Sequence, residues 1–139
     1  MDEFSPTVAF DVTPMVGFRT GIGLAVAETY AALTELPARP RLIPYAFGLS
    51  LRRGQSTLPT GTRVFQVPTR ALFWAWARAD HPRFDPLLRP AGVIHAMNFV
   101  APPSRLPTLV TVHDCTFARL RETAWLPARY RWLEEQWRA

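Results

Sequence analysis

Thr7-Val8-Ala9-Phe10-Asp11-Val12-Thr13-Pro14-Met15-Val16-Gly17-Phe18-Arg19-Thr20-Gly21-Ile22-Gly23 is the stretch on which the fold turns. Its first part, Thr7 to Val12, is β-branched, apolar and aromatic, and Thr13-Pro14 closes it. That pattern predicts a short buried strand. Val16 to Gly23 carries three glycines and predicts a loop. A helix follows, because Ile22, Val26, Tyr30 and Leu33 repeat at helical spacing on one stripe. Thr20 is its expected N-cap, and Pro37 to Pro40 ends it. A glycine pair at the start of such a helix has two readings. Unpaired backbone N–H groups and the helix dipole favour an anion there, and glycine lets a ligand approach the backbone. Equally, a tight turn there lets the helix pack on the sheet. Gly21-Ile22-Gly23 alone does not choose between them.

Outward from this unit the alternation continues. Arg41 to Phe47 predicts a second strand, with Pro44 pointing to a sheet edge because proline lacks the ladder donor. Gly48 to Gly61 is polar and turn-rich and predicts a loop, and Val64 to Val67 a short third strand. Thr69 is the expected cap of a helix through about Asp80, with Leu72, Phe73, Trp76 and Ala77 on its apolar face. A further short helix is expected from Pro82, burying Phe84, Leu87 and Leu88 until Pro90. Val93 to Phe99 and Thr108 to Asp114 predict two more strands. The latter is apolar enough to suit a central parallel strand covered on both faces. A last helix is expected from about Pro127, with Leu126, Tyr130, Leu133 and Trp137 along its stripe. The order argues an α/β fold: a Rossmann-like, mostly parallel sheet flanked by helices.

At 139 residues the chain holds one domain at most, 1–139. It is 48% apolar and 19% charged, which excludes a disordered chain. No apolar run reaches the roughly 18 residues that span a bilayer. The acidic start, Met1-Asp2-Glu3-Phe4, is unlike a secretory signal, so a cytoplasmic location is expected. One cysteine, Cys115, excludes a disulfide framework and a cysteine-based zinc site. All 16 basic residues are arginine, a uniform choice that reads as codon bias. They are scattered from Arg19 to Arg138, with only Arg52-Arg53 adjacent, so the net charge of +5 does not point to nucleic acid.

In open parallel sheets ligands bind beyond the carboxyl ends of the strands. Three features fall there: the glycine loop, His95 with Asn98, and His113-Asp114. A histidine ending a strand next to an acid can donate a hydrogen bond or relay a proton near neutral pH, or it can simply be satisfied by backbone. His95, inside an apolar strand, reads as a packing residue. Asp114 and Asp11 each suit a turn cap. Cys115 reads as a buried, inert thiol. The full dinucleotide pattern fails at Val26, and the Walker pattern fails for want of any lysine. Metal-ligand spacings, an Asp-x-Asp pair and a Gly-x-Ser-x-Gly elbow are also lacking.

Val8 to Pro14 together with Arg19-Thr20-Gly21-Ile22-Gly23 resembles the opening of a family 4 glycosyltransferase. Val93 to Phe99 and Thr111-Val112-His113-Asp114-Cys115-Thr116-Phe117 resemble that family's later strand-end segments, in the same order. The likeness runs from about Thr7 to Arg138. It implies a GT-B architecture, in which two Rossmann-like domains face a cleft and a hexosyl group passes from a nucleotide sugar with retained configuration. This chain would be the N-terminal, acceptor-side domain. Gly21 and Gly23 would lie near the donor phosphates and His113, the catalytic candidate, near the transferred sugar. Asn98 and Asp114 would contribute to substrate binding. No metal or cofactor is implied. Three departures stand out. Leu24 replaces a basic residue, Cys115 replaces a leucine, and the chain stops before the last strands of such a domain, with the C-terminal donor domain missing.

The resemblance therefore implies a nucleotide-sugar donor and a saccharide or lipid-linked acceptor as partners. A lipid-linked acceptor would bring the chain into peripheral contact with a membrane. A C-terminally truncated chain of this kind is expected to be inactive alone. The alternative is a non-catalytic fragment or interaction module on a phosphate-binding, Rossmann-like fold. A third reading, a basic module for nucleotide or nucleic acid, requires steeply salt-dependent binding to a polyanion.

Overall fold

The computed structural model describes residues 5–17, 21–49, 57–76, 78–98 and 100–113. Five strands form one parallel sheet: β1 (Thr7–Asp11), β2 (Arg41–Phe47), β3 (Arg63–Phe65), β4 (Val93–Ala96) and β5 (Thr108–Val110). Their spatial order is β3-β2-β1-β4-β5. The chain winds outward from β1 in one direction, then returns past it and winds in the other. This is the Rossmann-like α/β arrangement, and its reversal point lies between β1 and β4.

Helix α1 (Gly21–Glu35) covers one face. Phe10, Val12, Met15, Val26, Ala46 and Met97 are buried together there, with Ile22, Tyr30 and Leu33 packed against them. Helix α2 (Thr69–Trp76) covers the other. On that side Ala9, Ile43, Tyr45, Phe47, Leu72, Trp76, Phe84, Leu88 and Ile94 form the larger core. The alternation follows from the strand period of two: Ala9 and Phe10, or Ile94 and His95, point to opposite faces. Phe47 is the hub of this second core. Its ring lies 5.4 Å from Phe65, 5.5 Å from Trp76 and 4.9 Å from Phe84. Among the described residues no helix is long and apolar enough to cross a membrane.

Pro44 does not mark an edge. β2 is an internal strand, paired with both β1 and β3. The ladder explains why proline is tolerated. Arg41 N–H donates to Pro6 O and Tyr45 O accepts from Val12 N–H, so odd positions of β2 face β1. Gly48 N–H donates to Phe65 O, so even positions face β3. Pro44 therefore faces β3, but β3 begins opposite Tyr45, one residue later. The missing N–H falls just before its partner strand starts.

Other boundaries differ from the sequence expectations. Thr69 is the first residue of α2 and not its cap; the helix begins on the carbonyl of Pro68, which accepts from Leu72 N–H. The segment after Pro82 makes only a 3-10 turn, Asp85–Leu87. Phe84 and Leu88 are buried there, but Leu87 is exposed, since the adjacent positions 87 and 88 of one short turn point in different directions. β4 stops at Ala96 and β5 at Val110. Among the described residues β5 is an outer strand, with β4 as its partner, and Thr108, Leu109 and Val110 are all exposed. An apolar β-branched run identifies a strand but not its rank in the sheet. Thr20, Phe99, Asp114, Cys115 and the helix expected from Pro127 lie outside the described residues.

Candidate functional site

All five strands run the same way, so their carboxyl ends form one rim, and the reversal at β1/β4 opens a crevice there. β1 supplies Asp11. It is only 6% exposed, because the strand that carries it is central and both faces are covered. Its Oδ1 accepts a 2.9 Å hydrogen bond from Thr13 N–H, an Asx turn that leads into the 3-10 turn Thr13–Met15. This is the local turn-capping chemistry of aspartate. Burial pushes the Asp11 carboxyl up to about 6, against the pull of its hydrogen bonds from Thr13 and from the backbone of Met97. Thr13 Oγ1 in turn accepts from Phe47 N–H at 3.2 Å, fastening the loop after β1 to the end of β2. The Thr57 hydroxyl donates to Met15 O at 2.9 Å.

Beside Asp11, the Tyr45 side chain is fully buried, and among the described residues its hydroxyl has no hydrogen-bond partner. Burial, and then the negative charge of Asp11, push the Tyr45 hydroxyl well above its ordinary value. The two groups sit at facing positions of β1 and β2.

Met97, the first residue beyond β4, is the other organising element. Its carbonyl accepts a 2.7 Å hydrogen bond from His113 Nε2. The acceptor is a carbonyl, so this nitrogen carries the proton. The Thr111 hydroxyl donates to Met97 Sδ at 3.5 Å and lies 2.9 Å from His95 Nε2. His95 also packs edge-on against Phe10, at 5.2 Å between rings, and burial lowers its pKa. It serves packing and local hydrogen bonding, in keeping with its place in an apolar strand.

Gly21 and Gly23 open α1, which follows β1 and therefore begins at the carboxyl rim. They differ in surroundings: Gly23 is buried, whereas Gly21 is exposed. A methyl group at Gly21 would meet nothing within 4 Å. Helix packing thus does not require glycine at position 21. Asn98 is exposed, one residue past Met97. The fold brings Gly21, Gly23, Asn98 and His113 to the same edge of the sheet, and Asp114 lies outside the described residues. Among the described residues no group of three His, Cys, Asp or Glu side chains could hold a metal ion.

Sequence reasoning gave Asp11 a turn-capping role but missed its burial and its neighbour Tyr45. The signal was present in an acid at the end of an apolar run that reads as a central strand. Met97 and Thr111 carried no such signal, because their roles depend on which strands become neighbours. Compared with known families, curated proteins and solved structures, the chain matches no family model, no curated protein and no solved structure.

Proposed function

We propose that the chain is the acceptor-side domain of a retaining glycosyltransferase. Its partners would be a nucleotide sugar carrying a hexosyl group and a saccharide or lipid-linked acceptor. The observation that carries this reading is the strand order with its reversal at β1/β4. That order has a glycine-opened helix after β1, Met97 after β4 and its partner His113 after β5 on one rim. An open space above Gly21 supports close approach of a phosphate to the helix start.

In this reading the backbone N–H groups at Gly21 and Gly23 offset phosphate charge as the leaving group departs. The bond between the anomeric carbon and the phosphate oxygen breaks. The acceptor oxygen forms the new bond, on the same face of the sugar, and its proton leaves with the departing phosphate. His113 hydrogen-bonds a sugar hydroxyl, or its backbone carbonyl stabilises positive character at the anomeric carbon. Asn98 and Asp114 position the sugars.

The test is a backbone-amide NMR titration of the purified chain with UDP-glucose, GDP-mannose and free saccharides, repeated on Gly21→Ala. Shifts are expected at Gly21, Gly23, Asn98 and His113. Gly21→Ala is expected to weaken the nucleotide-sugar response while keeping the fold, since the methyl meets open space and alanine gains up to about 1 kcal/mol in helix propensity over glycine. Rim amides that ignore every sugar compound, or a response that Gly21→Ala leaves intact, would refute the assignment.

A second reading, a non-catalytic interaction module, is favoured by the exposure of Leu109 and Val110 on β5. It predicts a self-associating chain that Leu109→Glu renders monomeric in sedimentation velocity.

A further inference from the structure

The amino ends of β4 and β5 carry a feature that the carboxyl rim does not use. A cleft of about 450 Å³ is lined there by Arg83, Asp85, Pro86, Arg89, Ala91, Arg105 and Leu106. Ala91 lies two residues before β4, and Leu106 two before β5. The cleft is thus separated from the rim by the length of β4, four residues or about 13 Å. Its size falls within the range of small-molecule sites, roughly 300–1,000 Å³.

Three arginines that are distant in sequence meet at this cleft. Arg83 follows α2, Arg89 follows the 3-10 turn, and Arg105 belongs to the connection between β4 and β5. Asp85, the acid among them, forms no ion pair with them among the described residues. Asp85 Oδ1 accepts from the Ser104 hydroxyl and from Arg105 N–H, the latter at 3.2 Å. The Ser104 oxygen accepts from Leu106 N–H at 2.8 Å. Asp85 therefore staples the two walls together through neutral donors. Arg83 is paired with the Asp80 carboxylate at 3.7 Å, on a carboxylate that is itself 81% exposed. Among the described residues the Arg89 and Arg105 guanidinium groups have no ion-pair partner.

The frame behind these side chains is fixed. Leu88 is fully buried, and Phe84 and Ala91 nearly so. Leu87 and Leu88 N–H donate to Phe84 O, Ala91 N–H to Leu88 O, and Gly92 N–H to Thr7 O at the start of β1. Pro86, Ala91 and Leu106 supply an apolar floor between the cationic groups. A guanidinium fork matches a phosphate geometrically and stays charged at any relevant pH.

From this arrangement we propose that the cleft is a binding site for a phosphate monoester with a small apolar body. The phosphate would be taken by Arg89 and Arg105, with Arg83 beside them, and the body would rest on Pro86, Ala91 and Leu106. Two sources share that chemistry, a free organic phosphate and the headgroup of a phosphatidate.

The test uses the whole chain with phenyl phosphate as the soluble probe, followed by amide NMR, and phosphatidic acid vesicles against phosphatidylcholine vesicles in a sedimentation arm. Phenyl phosphate is expected to move the amides of Ala91, Arg105 and Leu106 saturably, and phenol is not. Arg89→Gln and Arg105→Gln, both at exposed positions, are each expected to weaken binding about tenfold, the scale of a charge-assisted hydrogen bond. Gly21→Ala leaves this response unchanged, which separates it from the carboxyl rim. Binding in the soluble arm that the two variants lose supports a free ligand, and binding in the vesicle arm alone that they lose supports a headgroup. A saturable response in neither arm up to about 10 mM, weaker than the millimolar range of marginal sites, overturns the proposal. So does binding that both variants retain in full.

Discussion

The pH dependence of stability isolates Asp11. Its carboxyl has an ordinary value of 3.8, and burial lifts it to about 6 in the folded chain. Between those values the native state holds a proton that the unfolded state has released, so stability falls as pH rises from about 4 to about 6 and then levels off. Two units at about 1.4 kcal/mol each set the loss at roughly 3 kcal/mol as an upper scale. His95 acts in the opposite sense. Burial lowers its pKa, so below the ordinary value of 6.5 the unfolded state binds the extra proton and stability rises with pH. The two effects overlap, and the wild-type profile alone does not separate them. Asp11→Asn does, because His95 is common to both proteins. The asparagine Oδ1 can still accept from Thr13 N–H, so the turn is kept. Urea unfolding of both proteins in half-unit steps from pH 4 to 7.5 is the assay. Wild-type stability minus Asp11→Asn stability is expected to decline by about 2–3 kcal/mol across the window and to be flat above it. Carboxyl-carbon NMR of Asp11 should titrate near 6. A difference curve without a step, or an Asp11 midpoint at or below about 4, would refute the claim that burial governs this group.

Three further substitutions test the packing. Tyr45→Phe removes a buried hydroxyl that has no partner among the described residues and is expected to raise stability by about 1 kcal/mol; a comparable loss in urea unfolding would mean that the hydroxyl is satisfied in solution. Phe47→Ala takes out the ring shared by Phe65, Trp76 and Phe84, and a loss of about 3–5 kcal/mol is expected, read as a drop in the urea midpoint. Pro44→Val should cost about 1–3 kcal/mol, because the position is buried and the new N–H faces β3 before that strand begins; an unchanged urea midpoint would contradict the register.

The periodicities of the sequence carry the layers but not the neighbours. Ile22, Val26, Tyr30 and Leu33 spell one helix face, and that face is the one α1 packs on the sheet. The runs around Phe10, Ile43 and Ile94 spell strands for the same reason, since burial on both faces demands apolar side chains at successive positions. What periodicity cannot express is rank. Pro44 reads as an edge residue when proline is considered alone, yet its strand is internal, because tolerance depends on where the adjacent strand starts. Leu109 and Val110 read as doubly covered, yet they lie on an outer strand among the described residues. The candidate site shows the same division. Gly21, Gly23, Asn98 and His113 were legible as strand-end or helix-start residues, since the carboxyl ends of parallel strands share an edge. The contacts of Met97 were not legible, being set by chain segments 14 to 16 residues further on. The arginine cleft was illegible for that reason too. Arg83, Arg89 and Arg105 look scattered along the chain, and only the parallel crossing from β4 to β5 brings the last of them back beside the others.

Met97 shows how the two halves of the rim are joined. Its backbone favours the ionised form of Asp11 on β1, its carbonyl holds His113 beyond β5, and its sulfur receives the hydroxyl of Thr111, which contacts His95 on β4. Three adjacent strands thus converge on one residue, and none of these contacts requires a side-chain charge on Met97 itself. Protonation of Asp11 weakens the hydrogen bond that its Oδ1 accepts from Thr13 N–H. The Asp11 carboxylate and the His113 imidazole thus both meet the backbone of Met97, one from β1 and the other from beyond β5.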